Sequence, residues 1–193
     1  MLSDTFLSYQ FSESCNPVKK SGKHDIQFAG ETIVRYAESV LRIYKEGIVG
    51  GHATFESETP DWEKWDAGHI SQFRWVVEKG NVVLCCTAFS QVSSRKVYAG
   101  VEEVSIYVYD IAQNRVIGFM LMERLINSSE ESRLWTLLVQ IFTEHTTSIR
   151  LHKKHGFHQK EIRKRITLMT QGPMAGEWLD VVLLERRSQR VGT

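Results

Sequence analysis

Hydrophobic and polar positions along the 193-residue chain change period from block to block, and residues 101–118, VEEVSIYVYDIAQNRVIG, show the change most clearly. Val104, Ile106 and Val108 alternate with Glu103, Ser105 and Tyr107, which predicts a strand with one apolar face. A polar turn follows, and then an apolar stretch over 117–127 predicts a helix buried between layers. A strand that hands over to a helix aims the helix's first N–H groups and its positive dipole end beyond the strand. That is an anion site by construction.

The other blocks arrange themselves around this one. Residues 33–37, IVRYA, predict a short strand running into a helix that carries Val40, Leu41, Ile43, Tyr44 and Ile48 and is ended by Gly47, Gly50 and Gly51. Trp62, Trp65 and His69 fall at helical spacing after a candidate cap at Thr59. Residues 73–78 and 82–90 predict a hairpin about Lys79 and Gly80, and a polar connector over 91–96 leads into a strand over 97–108. The run LWTLLVQIF, 134–142, predicts a strand covered on both faces. A short helix over 147–155, capped by Thr146 or Thr147 and closed by Gly156, comes next. Phe157, 166–169 and 178–185 supply the last strands. Mixed strands and helices in this order predict one α/β layered domain over 31–193, preceded by an extension over 1–30 that shows no clear period.

Composition narrows the partners. With 24 Lys and Arg against 23 Asp and Glu, the net charge of +1 asks for neither nucleic acid nor an anionic membrane. Arg163-Lys164-Arg165 and Arg186-Arg187 read as solvated basic faces. The three cysteines, Cys15 and the neighbours Cys85 and Cys86, are an odd number, and adjacent strand residues point to opposite faces. No disulfide framework is expected. With no long apolar span, the expected location is the cytoplasm.

Few residues stand out as chemistry. Glu103 lies on the polar face of an otherwise apolar strand, where a water-poor cleft would turn a carboxylate into a base. The plain alternative is a solvated carboxylate, as Glu102 beside it is expected to be. Ser148 and His152 are spaced to share one helix face, with His152 a candidate proton donor near neutral pH. His145, His152, His155 and His158 crowd one region, but no carboxylate or thiol completes a ligand set, and no metal site is expected.

Several blocks resemble one known family. QVSSRKVYAGVEEVSIYV, WTLLVQIF, SIRLHKKHGF and EWLDVVLLERR, in this order and with TFESETP and WDAGH ahead of them, look like the phosphinothricin and methionine sulfoximine acetyltransferases of the GNAT superfamily. The resemblance implies the GNAT fold, an α/β domain whose mixed, mostly antiparallel central sheet has helices on both faces and strands splayed at an acetyl-CoA cleft. It implies an acetyl-CoA-dependent N-acetyltransferase whose substrate is the α-amino group of a small amino-acid analogue, commonly a homodimer.

By position, the resemblance makes Glu103 the base, directly or through a water, and His152 the candidate donor to the leaving thiolate. Coenzyme contacts fall on Tyr107, Val108 and Tyr109, on Gln113, Asn114, Arg115, Val116, Ile117 and Gly118, and on His145 and Ser148. Phe55 and Glu56, with Ser93, Ser94 and Arg95, match segments that line the amino-acid pocket, and the planar fork of Arg95 suits a carboxylate. Two departures, Val116 in place of a loop glycine and His145 in place of an asparagine, support the alternative of a non-catalytic acyl-CoA-binding or regulatory module.

Overall fold

The computed structural model describes residues 26–29, 33–51, 53–112 and 117–193. Its centre is a seven-stranded sheet in the order β1-β2-β3-β4-β5-β7-β6. The strands are β1 (Ile26–Ala29), β2 (Arg74–Lys79), β3 (Val82–Gln91), β4 (Val101–Val108), β5 (Thr136–Phe142), β6 (His158–Leu168) and β7 (Trp178–Arg187). Helices α1 (Ala37–Gly50), α2 (Trp62–Ala67), α3 (Ile117–Glu131) and α4 (Thr146–Lys154) complete the described elements. The β4/β5 pair is parallel, and the other described pairs are antiparallel.

Strand alternation divides the interior in two. Val77, Cys85, Phe89 and Val104 pack under Leu121, Met122 and Leu125 of α3. Val76, Val83 and Cys86 face Val40, Ile43 and Tyr44 of α1, with Trp65 of α2 beside them. Cys85 and Cys86, adjacent in sequence, are free thiols in opposite layers. Burying each large side chain contributes about 1.5–3 kcal/mol, so both layers hold the sheet.

Several boundaries differ from the sequence expectation. Residues 33–37 are not a strand: Ile33–Tyr36 is a 3-10 turn that merges into α1. The buried set Tyr36, Val40, Ile43 and Tyr44 has helical spacing, and that stripe overrides the β-branched pair at its start. An edge strand forms instead at Ile26–Ala29, inside the stretch set apart as an extension, and pairs with β2. The cap of α2 is Asp61, not Thr59, and its carboxylate accepts the Lys64 N–H at 2.7 Å. The strand expected from 97 begins at Val101, after a 3-10 turn over Lys96–Tyr98. At that start the Gly100 carbonyl accepts the N–H groups of Trp135 and Thr136 at 2.9 and 3.0 Å. The Trp135 ring lies where a side chain at 100 would be, 2.1 Å from an ideal Cβ.

The site depends on what happens next along β4 and β5. They pair only at Val101/Thr136, Glu102/Leu137 and Glu103/Leu138. Yet β4 continues to Val108 and β5 to Phe142. The two central strands therefore part beyond Glu103, and a notch opens in the middle of the sheet.

Candidate active site

Hydrogen-bond parity decides which groups line the notch. The Tyr109 N–H donates to the Leu84 carbonyl of β3 at 2.9 Å. In an antiparallel pair alternate residues turn their N–H groups to opposite sides, so those of Ile106 and Val108 turn toward β5, past the last paired residue. Val108 thus presents a backbone donor to the notch. The Tyr109 amide, grouped with it from sequence, is instead engaged by β3, and its ring lies under the Arg42 guanidinium, 5.1 Å from the centroid.

At the far end of the notch α3 begins with Ile117 and Gly118, both buried. A Cβ at Gly118 would stand 3.5 Å from Leu151 of α4 and 3.9 Å from Val108, so the first turn of α3 is seated between the end of β4 and α4. Gln113, Asn114, Arg115 and Val116, the coenzyme-loop positions, lie outside the described residues.

At the apex stands Glu103, half-buried, on the last β4 residue paired with β5. Its Oε1 accepts the Gln140 Nε2 at 3.1 Å, and Gln140 Oε1 accepts Arg163 Nη1 at 3.2 Å. Gln140 and Phe142 share Glu103's side of the sheet. Phe55 stands edge-on to Phe142 with ring centroids 4.9 Å apart, which brings that expected pocket residue to the notch.

The loop carrying Phe55 is tied down next door. Thr54 Oγ1 lies 3.2 Å from the Tyr44 hydroxyl and accepts the Glu56 N–H at 3.2 Å. Tyr44 meets Tyr107 edge-on at 4.8 Å. Burial, reinforced by Tyr44, pushes the Tyr107 phenol upward, so it stays neutral.

Ser93 is half-buried and Ser94 and Arg95 are exposed on the connector before β4. The Ser93 hydroxyl accepts the Arg95 N–H at 3.3 Å. Among the described residues the Arg95 guanidinium makes no hydrogen bond or ion pair, so its fork is open to a ligand.

His152, the candidate proton donor, is buried in α4. It is 2% exposed, packed edge-on against Phe157 at 5.1 Å, and its Nδ1 donates to the Ser148 carbonyl at 2.9 Å. Burial depresses its pKa to about 4, so at neutral pH it is a neutral imidazole whose one N–H proton is engaged by the Ser148 carbonyl. Its Nε2 is buried and makes no hydrogen bond among the described residues. Ser148 Oγ stands 3.5 Å from Nδ1 of the same ring. His145 occupies the N-cap position of α4, where a threonine was expected.

Glu102, expected in solvent, is 5% exposed. Burial raises its pKa to about 7. It shares parity with Val104, Ile106 and Val108, so the strand alternation itself pointed it into the apolar layer. Arg186, also expected in solvent, is held by the buried Glu130 at 3.0 Å.

A sheet split between two central parallel strands, with a carboxylate at the apex and a backbone donor facing the gap, defines an acyl-transfer scaffold. Residues 37–157 match the acetyltransferase (GNAT) family, and the chain belongs to that family. It is 30% identical over 129 residues to YwnH of Bacillus subtilis strain 168, which carries the provisional name phosphinothricin acetyltransferase, covering 64% of this chain and 78% of YwnH. It is 24% identical over 166 residues to the L-methionine sulfoximine/L-methionine sulfone acetyltransferase of Salmonella typhimurium, covering 79% and 92%. A phosphinothricin acetyltransferase from Sinorhizobium meliloti, solved with acetyl-CoA, shares the fold at a TM-score of 0.75 and 22% identity, over 86% of this chain and 90% of that one. Among the described residues no helix is long and apolar enough to cross a membrane.

Proposed function

We propose that this chain is a cytoplasmic enzyme that transfers the acetyl group of acetyl-CoA to the α-amino group of a small amino-acid analogue of the phosphinothricin or methionine sulfoximine type. The position of Glu103 carries the reading: a carboxylate fixed where the central strands part, on the side where Phe55 closes over β5. The notch fits a thioester, because the Val108 N–H turns into it and α3 begins at its far end. Acetyl-CoA supplies the activated acyl group. Glu103, or a water it holds, accepts a proton from the substrate ammonium, which frees the lone pair that forms the new amide bond. The Val108 N–H faces the carbonyl oxygen as its charge develops. The thiolate leaves and takes its proton from solvent, because burial keeps His152 neutral and its Nδ1 proton is held by the Ser148 carbonyl.

Arg95 gives the reading a substrate class. Its open guanidinium pairs with the α-carboxylate, which selects amino acids over polyamines. A thiol-release assay across glutamate-like amino acids, their amides and polyamines tests this. Release is expected only with an amine bearing a carboxylate, and Arg95→Ala raises the KM for that amine about tenfold or more while the acetyl-CoA KM holds. Calorimetric binding of acetyl-CoA with no amine-dependent release across the panel would instead establish the non-catalytic module.

The same reading includes a homodimer. β6, 11 residues long, is one of the two edge strands, and Ile162, Ile166, Leu168 and Trp178 are exposed on it and its neighbour. A long open edge with apolar side chains is a template for another chain, here a second copy. Sedimentation should give twice the 22.2 kDa chain mass, and Ile166→Glu should return it to the monomer. A wild-type monomer at micromolar concentration refutes the pairing.

A further inference from the structure

Glu103 does not stand alone. Gln140 of β5 and Arg163 of β6, neither expected at the site, form a hydrogen-bonded chain that ends on its carboxylate. We propose that Gln140 and Arg163 are positioning residues that fix the rotation of the Glu103 carboxylate and point its second oxygen at the acceptor amine or its water. The inference rests on the reading of Glu103 as the base.

The chemistry of the chain allows one polarity. A guanidinium only donates and an ionised carboxylate only accepts, so a glutamine between them must turn its oxygen to Arg163 and its NH2 to Glu103. The observed contacts have that sense at both ends, at 3.2 and 3.1 Å. Arg163 is itself held from behind, its Nε 3.7 Å from the Glu161 carboxylate.

Topology explains why Gln140 can do this. Glu103 and Leu138 form the last β4/β5 pair, and Gln140 is the next β5 residue on the same side, at the point where the backbones diverge. Its side chain spans the widening gap in place of a ladder bond. With Oε1 held, Oε2 of Glu103 makes no hydrogen bond among the described residues and is the oxygen left to take a proton. Across β7 the register sets Glu161 opposite Gln140 and Arg163 opposite Phe142, one same-side step along, from where a long arginine reaches back to Gln140.

Steady-state kinetics on the full chain, with acetyl-CoA and the best amine of the panel, test the relay. Gln140→Met and Arg163→Met are each expected to lower kcat about tenfold with both KM values within about twofold, the loss of one charge-assisted bond. Arg163→Lys, which keeps a cationic donor, restores most of the rate. Gln140→Glu, which keeps the Arg163 contact but sets two carboxylates face to face, is also slow. The decisive readout is the double variant Glu103→Gln/Gln140→Met, expected to be no slower than Glu103→Gln alone. An additive loss in the double variant, or an unchanged kcat in Gln140→Met and Gln140→Glu while Glu103→Gln is slow, overturns the relay and leaves the base intact. A Glu103→Gln variant with full turnover overturns both.

Discussion

Glu103→Gln is expected to lower turnover by about 10²–10⁴-fold, the range a well-placed general base contributes, with the acetyl-CoA KM within about twofold of wild type. The substitution isolates proton acceptance from geometry. Glutamine has the size of glutamate, and its side-chain oxygen can still accept the Gln140 N–H that Glu103 accepts at 3.1 Å. What disappears is the basic oxygen. The ammonium then stays protonated in the notch and has no lone pair to offer the thioester. Thiol release under saturating substrates, with circular dichroism to show the fold retained, measures the effect. A loss below about threefold, in a folded variant, removes Glu103 from the chemistry.

Much of the notch is legible in the sequence, because period-two alternation over 103–108 gives β4 one apolar and one polar face. The same alternation puts Glu102 among Val104, Ile106 and Val108, although a lone charged residue beside another passes easily for a solvated one. Gln140 leaves a fainter mark, a single polar residue inside LWTLLVQIF. Arg163 leaves none, since it reads as part of a basic run with Lys164 and Arg165. Nothing in linear spacing joins residues 103, 140 and 163, which meet only through the strand order and the early end of the β4/β5 ladder. Local rules fail in the same way at 33–36, where two β-branched residues suggest a strand and the distant face of α1 imposes a helix.

The largest stability effect expected is one that the wild-type protein conceals. Glu102 and His152 are both buried, and burial moves them in opposite directions, Glu102 from 4.5 up to about 7 and His152 from 6.5 down to about 4. Between pH 4.5 and 7 the folded state holds a proton on Glu102 that the unfolded chain has released, so stability falls as pH rises through that window. Between pH 4 and 6.5 the unfolded chain holds a proton that folded His152 refuses, so stability rises with pH there. Each effect is worth about 3 kcal/mol over its full window, and from pH 4.5 to 6.5 the two nearly cancel.

Removing one partner uncovers the other. In Glu102→Gln, stability relative to wild type is expected to climb by about 3 kcal/mol between pH 4.5 and 7, seen as a Tm difference of about 6–12 °C for a chain of this size. In His152→Leu the relative change has the opposite sign, because the Glu102 cost is then unopposed. Urea or thermal unfolding of the three proteins at constant ionic strength across pH 4.5–8 reads both slopes. Variant profiles that run parallel to wild type would mean that neither group is held in its neutral form by the fold. A slope in Glu102→Gln alone would confine that property to the carboxylate of β4.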